Sequence, residues 1–537
     1  MIFEQCSVKK TRILRFAAIL MMTMLLLASC VKTGPSVQTD TSEPAETTGV
    51  AVDTSDSSGK EQKPVTVIGV ETGSCIEADW VDEAERAATG LKYSYIHLSE
   101  ADRQNYPKLE QAITELSKER KEASLELYDA ALQSAREVSV ENPDNLPYYS
   151  VKEEVTVRRA DSRVFSLLFS GYVYSGGPHG QPYTLGAVFD SETGERLKLA
   201  DVVTDVNLLP ELAWEQLEAY WDTDYFYDNL DLNKFFSDNL DSIEWVLDYN
   251  GLSIFFQHYD IAPYAAGAQN VTLSFASHPE LVKDKYRDVP DSYGIEIVPE
   301  KQFFFDMDGD GKLDSLTVSP AKGADYDFAK QKVVLNGESF EEDTGIFEID
   351  LTLLHTADGN NYLYMGQDAD SYGAFEVFDL SSGKIDRKDI VYSEKHRVSF
   401  EDPNYNARQV LTDPQSLILD SYTQVLGTAL VYDTYHVGTN GLPEREGSWY
   451  TVCNRRELTL LKNLSASVVG EDGKVTGKTE LKAGDKVIYY RTDGETRADL
   501  KLSDGSIVRV NPLCKDVEWT LDGMMLEEVF DGIIFGM

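Results

Sequence analysis

One long stretch of helical periodicity lies among several short, strand-length runs. Pro107 begins it, because proline suits the first turn of a helix, and Asn142-Pro143-Asp144 ends it. Its apolar residues recur every three to four positions, at Leu109, Ile113, Leu116, Ala123 and Leu127. Arg120 interrupts the apolar stripe, so we expect this helix to pack on a sheet rather than in a coiled coil.

Strand-length runs surround this helix and predict an antiparallel sheet. They cover residues 65–70, 92–98, 149–159, 163–174 and 183–190. Residues 206–220 predict a second amphipathic helix. Asn250-Gly251, between two apolar runs, predicts a hairpin whose two turn residues have positive φ. The fold class expected for residues 65–285 is α+β, an antiparallel sheet with a long helix.

The N-terminus carries an export signal. Four basic residues precede an apolar run of about 13 residues, too short to span a membrane but typical of a signal peptide. The run ends in Leu27-Ala28-Ser29-Cys30, which resembles a bacterial lipobox. We therefore predict a signal peptide over residues 1–29, lipidation of Cys30, and an extracytoplasmic lipoprotein anchored to the membrane. The alternative is an ordinary signal peptide whose cleavage site happens to precede a cysteine.

Composition agrees with an exported globular protein. Residues 30–64 are mostly Thr, Ser, Asp, Glu, Gly and Pro and predict a disordered tether. The net charge is −43, or −43 − 3 = −46 after loss of residues 1–29, which carry four basic residues and Glu4. This charge would repel nucleic acid and favours cationic partners, divalent ions or simple solubility.

Three cysteines remain after processing, namely Cys75, Cys453 and Cys514. No CxxC spacing exists, so a zinc or redox site is not expected from the sequence. Cys453 and Cys514 lie in the C-terminal region and could form a disulfide bond, which would leave Cys75 free or paired with another chain.

Several short motifs occur in a fixed order in the first folded region. They lie at residues 158–166, 174–180 (YSGGPHG), 189–195, 197–201 and 256–267, which ends in PYAAG. This order resembles the extracellular domain of the lysozyme-sensing anti-sigma factors (an RsiV-like domain), which also occurs beside some peptidoglycan deacetylases. The resemblance covers residues 65–285 and implies a binding module, in one branch of the family a lysozyme binder.

The chain departs from the family in two respects. Only about fifteen residues precede the apolar run, and cleavage at Cys30 would remove them, so a direct anti-sigma role is not expected. No deacetylase domain accompanies the module either. His179 could act as a general base with His258 and Asp260 nearby, but a local hydrogen bond within its glycine-rich turn is the simpler interpretation.

An acidic loop begins the β-rich region at residues 299–445. Alternate carboxylates on a glycine-turned loop suit a hard cation such as calcium. The expected ligands are Asp306, Asp308, Asp310 and Asp314 by their side chains and Lys312 by its carbonyl. The loop is similar to calcium loops of EF-hands and of FG-GAP-type β-propeller repeats, although Thr317 replaces the final Glu of an EF-hand and strands flank it. An acidic turn that binds nothing is the alternative.

Residues 450–537 contain short β-rich runs separated by Asp-Gly turns. Their spacing is similar to that of SH3-like barrels of bacterial surface proteins and predicts a small SH3-like domain. It would bind the cell wall or merely pack on its neighbour.

No common enzyme signature occurs in the sequence. The predicted function is a non-enzymatic binding or sensing lipoprotein, with a basic, lysozyme-like protein or a cell-wall component as its partner. A glycan-acting enzyme of the cell envelope and a structural envelope protein without a ligand are the alternatives.

Overall fold

A computed structural model describes nine stretches of the chain. They are residues 64–80, 88–141, 148–321, 330–343, 348–369, 372–398, 406–453, 455–470 and 472–536. The predicted signal peptide, Cys30 and nearly all of the predicted tether lie outside the described residues. No helix in these stretches is long and apolar enough to cross a membrane.

The first elements form a sheet with a long helix on one face. They are β1 (Val70–Trp80), β2 (Ala88–Leu98), α1 (Glu100–Asn105), α2 (Pro107–Glu141), β3 (Tyr149–Ala160), β4 (Val164–Tyr174) and β5 (Gln181–Asp190). Helix α2 confirms the helical periodicity, and Leu109, Ile113 and Leu116 belong to the core that it shares with the sheet. Arg120 breaks the stripe because it forms an ion pair with Glu153, a fully buried carboxylate of β3.

A smaller α/β layer follows. Its elements are α3 (Leu199–Val202), α4 (Leu209–Tyr220), α5 (Leu232–Asn239), β6 (Glu244–Leu247), β7 (Gly251–Phe255), β8 (Asn270–Ser274) and α6 (Asp284–Arg287). Strands β6, β7 and β8 form a three-stranded antiparallel sheet, and α4 and α5 share its core.

The predicted hairpin exists between β6 and β7, but its turn differs from the prediction. Leu247 pairs with Leu252, and neither Asn250 nor Gly251 has a positive φ. Gly251 serves another purpose, because a Cβ atom there would lie 2.5 Å from the carbonyl oxygen of Leu273 on β8. Close strand packing, rather than turn conformation, requires this glycine.

The middle of the chain is almost entirely β-structure. Its strands are β9 (Tyr293–Ile297), β10 (Phe303–Phe305), β11 (Asp314–Ala321), β12 (Lys330–Leu335), β13 (Glu338–Asp343), β14 (Glu348–His355), β15 (Asn361–Ala369), β16 (Tyr372–Asp379), β17 (Asp386–Val391), β18 (Glu394–Lys395), β19 (Arg397–Val398) and β20 (Asn406–Gln409). Strands β10 to β13 form one meander, and β14 to β17 form another that β9 extends. Strands β19 and β20 join the first sheet, whose order is β19-β20-β1-β2-β3-β4-β5.

The C-terminal elements complete the chain. They are β21 (Leu417–Thr423), β22 (Ala429–Val437), β23 (Pro443–Arg445), β24 (Tyr450–Val452), β25 (Glu457–Leu460), β26 (Leu464–Val469), β27 (Val475–Leu481), β28 (Lys486–Thr492), β29 (Ala498–Leu502), β30 (Ile507–Val510), β31 (Leu513–Lys515), β32 (Glu518–Leu521), β33 (Met524–Met525), α7 (Leu526–Val529) and β34 (Phe530–Asp531). Strand β24 pairs with both β22 and β28, so the C-terminal strands continue a sheet that begins in the middle region.

The helices and sheets together are consistent with the predicted α+β class, but the first sheet is not wholly antiparallel, because β2 and β3, which α1 and α2 connect, pair in parallel. Within the described stretches, none of the sheets closes into a barrel. The SH3-like barrel therefore stays a prediction.

Candidate functional site

The structure brings together two motifs that lie far apart in the sequence. His179 lies in the loop between β4 and β5, and Tyr264 lies in a short 3₁₀ turn after β7. Their rings stack with centroids 4.0 Å apart, and His258 packs on Tyr264 from 4.7 Å. The Tyr264 hydroxyl donates a hydrogen bond of 3.1 Å to the carbonyl of Gly180. These two loops therefore form one aromatic cluster.

Backbone and amide contacts hold the second loop in place. The side chain of Gln257 bonds to both the amide and the carbonyl of Thr184 on β5, at 3.1 and 2.7 Å. The carboxylate of Asp260 accepts the backbone N–H of Gln257 at 2.7 Å. Loop 256–264 is thus fixed against β5, and this contact sets the position of Tyr264.

This geometry does not support His179 as a general base. Its side chain is exposed, and its Nδ1 lies 2.9 Å from the carbonyl of Gly180 rather than from a carboxylate. Asp260 is engaged by the Gln257 backbone, and burial raises the pKa of its carboxyl group. Burial, followed by the charges of Lys301 and His179, lowers the pKa of His258. The local hydrogen bond is the interpretation that this arrangement favours.

A tyrosine-rich acidic loop at residues 222–231 lies next to this cluster, and sequence reasoning missed it. The backbone N–H of Tyr227 donates to the carbonyl of Ile261 at 3.1 Å, which joins the two loops. Tyr225 is 58% exposed and Tyr259 is 57% exposed. The loop contains four exposed aspartates and no Lys or Arg. The alternation of Asp with aromatic residues was the available signal.

We call this surface the tyrosine surface. It consists of Tyr225, Tyr227, Tyr259, Tyr264 and His179, with Asp222, Asp224, Asp228 and Asp231 beside them.

The acidic loop between β10 and β11 forms a second candidate site. One carboxylate oxygen each of Asp306, Asp308 and Asp314 lies within 4.8 Å of the others. Asp310 is not in this group, because its carboxylate accepts the backbone N–H of Lys312 at 2.8 Å and pairs with its ammonium at 3.3 Å. Three of the four predicted carboxylates therefore converge, and the fourth turns to its neighbour.

The loop presents an unsatisfied acceptor to this group. Asp306 Oδ2 accepts the N–H of Gly311 at 2.9 Å, but Asp306 Oδ1 is buried and has no hydrogen-bond partner. Burial, together with the charges of Asp310 and Asp308, raises the pKa of Asp306. A buried acceptor without a donor, beside two further carboxylates, is the arrangement that a cation would satisfy.

Two hydrogen bonds attach this loop to the core. The Tyr220 hydroxyl at the end of α4 donates to the carbonyl of Leu313 at 2.6 Å. The Asn361 amide donates to the carbonyl of Met307 at 2.8 Å, and Asn361 Oδ1 contacts His355 Nδ1 at 2.8 Å. The loop is therefore held by both the α/β layer and the five-stranded sheet.

The contact between His355 and Asn361, which helps to hold the acidic loop, is sensitive to pH. Burial lowers the pKa of His355 below its ordinary value near 6.5, although Asn361 opposes this shift. The unfolded chain then binds more protons, so the stability that neutral His355 contributes is present above about pH 6.5 and is lost as the pH falls.

We expect the free energy of unfolding to decrease from about pH 7 to about pH 5, and to decrease less in His355→Phe. Urea unfolding at the two pH values measures this, with the half-exposed His436→Phe as control. Equal decreases in the wild type and His355→Phe would contradict it.

The cysteines differ from the prediction. Cys75, Cys453 and Cys514 are all free thiols, so the structure does not contain the predicted Cys453–Cys514 disulfide bond. Cys514 is exposed on the short strand β31, whereas Cys453 follows β24 and directs its thiol towards Asp420, with 3.8 Å between Sγ and Oδ1. Cys514 lies in the β31–β32–β33 sheet, whereas Cys453 directly follows a strand of a different sheet.

A polar cavity of about 330 Å³ lies between the first sheet and the five-stranded sheet. Its carboxylates include Glu296 and Asp350, which lie 3.0 and 3.4 Å from the ammonium of Lys395. Burial lowers the pKa of Lys395, but the charges of Asp350 and Glu296 outweigh it and raise the pKa. Lys395 forms ion pairs with both carboxylates, so the two do not form an isolated pair, and the cavity adds no specific support for a glycosidase.

Comparisons with known proteins match one of these regions. The sequence model of the DUF3298 family, described as a protein of unknown function, matches residues 200–276. This segment includes α4, α5, strands β6 to β8, the tyrosine-rich loop and Tyr264. No curated protein matches the chain.

Two solved structures are similar to part of the chain. One is a DUF3298 family member from Bacteroides fragilis, with 18% sequence identity and a TM-score of 0.31. The match covers 41% of this chain and 94% of the Bacteroides chain. The other is a DUF3298 family protein from Pseudomonas aeruginosa, with 16% sequence identity and a TM-score of 0.28. This match covers 41% of this chain and 96% of the Pseudomonas chain.

Proposed function

We propose that this chain is a lipid-anchored binding protein of the cell surface whose tyrosine surface docks a basic protein of the lysozyme type. Lipidation of Cys30 and the tether at residues 30–64 would hold the folded part outside the membrane. The RsiV-like assignment of residues 65–285 belongs to this proposal, as does a supporting role for an SH3-like C-terminal region.

One observation carries the proposal. Two of the five motifs on which the family resemblance rests meet at Tyr264, whose ring packs against His179 and His258. The exposed Tyr259 extends the cluster, with its ring centroid 5.9 Å from that of Tyr264, and tyrosine supplies a large contact area with few rotatable bonds. Docking surfaces are often rich in such side chains.

Charge favours a basic partner. The loop at residues 222–231 places four carboxylates beside the tyrosines without a compensating cation in the loop, and the whole chain carries −43. Complementary charges accelerate association and suppress wrong partners, and this effect weakens as salt screens it. Lysozyme-like proteins are strongly basic, so their charge is opposite in sign to that of this surface.

Binding of lysozyme to the chain from residue 31 onward tests the proposal. We expect Tyr259→Ala and Tyr225→Ala each to weaken binding by about 30-fold, which corresponds to the loss of about 2 kcal/mol typical of an interface hot spot. Asp224→Asn with Asp228→Asn should slow association at low salt and have less effect at high salt. Tyr422→Ala, which removes a tyrosine that is 50% exposed elsewhere, is the control.

The outcomes separate the alternatives. Absence of lysozyme binding at every salt concentration would overturn the proposed partner. Retention on purified peptidoglycan instead, abolished by the same tyrosine variants, would identify a cell-wall ligand at the same surface. Binding that is insensitive to all four substitutions would place the docking site elsewhere.

We also propose that Asp306, Asp308 and Asp314 hold a structural calcium ion. The support is the unpartnered, buried Asp306 Oδ1 beside two carboxylates, together with a donor set made only of oxygen atoms. The ion would offset most of the negative charge of the loop and fix β10 to β11.

A further inference from the structure

We propose that His396, Asp420 and Cys453 form a binding site for a zinc-class transition metal ion. One candidate ligand atom from each residue lies within 4.8 Å of the other two. The sequence disfavours such a site, because it has no CxxC spacing and His396 stands alone. The structure supplies the missing partners from β21 and from the residue that directly follows β24.

Strand pairing builds the site. His396 lies between β18 and β19, and β18 pairs with β21 so that Glu394 faces Asp420. Strand β24 pairs with β22 next to β21, and the backbone N–H of Cys453 donates to the carbonyl of Leu430 at 2.9 Å. Asp420 lies within β21, and His396 and Cys453 lie directly beside strands, where their backbone N–H groups donate to the carbonyls of Ile418 and Leu430 at 3.2 and 2.9 Å.

The ligand atoms lie near the separations that a tetrahedral ion requires. His396 Nδ1 lies 2.6 Å from Asp420 Oδ1, and Cys453 Sγ lies 3.8 Å from the same oxygen. Zinc bonds of about 2.0–2.1 Å to nitrogen or oxygen and about 2.3 Å to sulfur imply ligand-to-ligand separations of roughly 3.3–3.6 Å in a tetrahedron. Side-chain shifts of less than about 1 Å would bring these two contacts to the required spacing.

The surroundings support metal binding. Asp420 is fully buried, and its second oxygen accepts the backbone N–H of Arg397 at 3.0 Å, which orients the carboxylate. The ring of Tyr432 packs against His396 with centroids 4.3 Å apart. The His396 side chain is 18% exposed, so solvent can reach the site and supply a fourth ligand.

The ligand set selects the metal class. A thiolate, an imidazole and a carboxylate suit zinc or cobalt, whereas calcium and magnesium prefer oxygen atoms alone. The thiolate and the carboxylate would together balance the charge of a divalent ion. Without a metal, burial and the charge of Asp420 raise the pKa of Cys453 to about 12 and keep the thiol protonated. Metal binding would release that proton.

Cobalt titration of the reduced chain, beginning after Cys30, tests the proposal. Excess calcium is added first to occupy the acidic loop. We expect one cobalt ion per chain, with a thiolate-to-cobalt charge-transfer band and the visible bands of tetrahedral cobalt, and we expect zinc to displace it. Cys453→Ser should abolish the charge-transfer band, and Asp420→Asn and His396→Gln should each weaken binding by about 10- to 100-fold or more. Cys514→Ser, which removes an exposed free thiol, should leave the spectrum unchanged.

A second measurement needs no substitution. Zinc should slow alkylation of Cys453 in the wild-type chain while the exposed Cys514 reacts at the same rate with and without zinc. A missing charge-transfer band, a band that survives Cys453→Ser, or unchanged alkylation of Cys453 in zinc would each overturn the proposal.

Discussion

An Asp248→Ala variant is expected to lose about 3–5 kcal/mol of unfolding free energy, because it leaves a buried charge without its partner. Asp248 is fully buried, and its two carboxylate oxygens each accept a 2.8 Å hydrogen bond from Arg158. Arg158 lies on β3 and is 5% exposed, so water cannot replace the lost contacts. Whole domains are stable by only about 5–15 kcal/mol, so this single change should lower the urea midpoint strongly.

Two controls make this prediction specific. Arg158→Met combined with Asp248→Leu removes both charges and should recover much of the stability, since neither charge is then left unpaired. Glu528→Ala breaks the exposed pair with Lys462, at 3.0 Å, and should cost less than about 1 kcal/mol. If Asp248→Ala cost no more than Glu528→Ala, the bidentate pair would not be a main link between β3 and the β6–β7 hairpin.

Calcium is expected to raise the melting temperature by several degrees. A ligand that binds only the folded chain stabilises it by about 2.7 kcal/mol when its free concentration is 100-fold above Kd. The effect should be visible in a thermal melt of the soluble chain with calcium against one with chelator. Magnesium should have a smaller effect, since it demands a more rigid octahedral shell.

The loop contains its own matched control. Asp308→Asn removes one of the three converging carboxylates and should abolish the calcium shift. Asp310→Asn changes an aspartate of the same loop that pairs with Lys312 instead, and it should keep most of the shift. A melting temperature indifferent to calcium, or equal losses in both variants, would contradict the assignment of the ion to Asp306, Asp308 and Asp314.

The sequence predicted features whose causes are local. Helix α2 follows from the spacing of Leu109, Ile113 and Leu116, and the interruption at Arg120 correctly indicated a sheet as its neighbour. The acidic loop was predictable for the same reason, because its carboxylates lie within nine residues of one another. The position of the β6–β7 hairpin was predicted correctly, but its turn conformation was not. Gly251 is required by its close approach to the carbonyl of Leu273 on β8 rather than by a positive φ.

Features that depend on strand pairing were not predictable in this way. His396 and Asp420 are 24 residues apart and Asp420 and Cys453 are 33 apart, so no spacing pattern connects them. The same reason explains why the disulfide prediction failed, because Cys514 lies in the β31–β32–β33 sheet and Cys453 follows a strand of another sheet. The tyrosine surface also depends on a long-range contact, the bonds of Gln257 to Thr184, 73 residues away.

By itself, the sequence determined the α+β class, the long helix, the acidic loop and the large negative charge, because composition and short-range periodicity are properties of neighbouring residues. Only the tertiary structure decided which side chains meet. It stacked His179 on Tyr264 and directed Asp310 away from the other carboxylates of the acidic loop. It also placed Asp420 and Cys453 beside His396. Hydrogen bonds between distant strands fix these contacts, and their register is not encoded in any one segment.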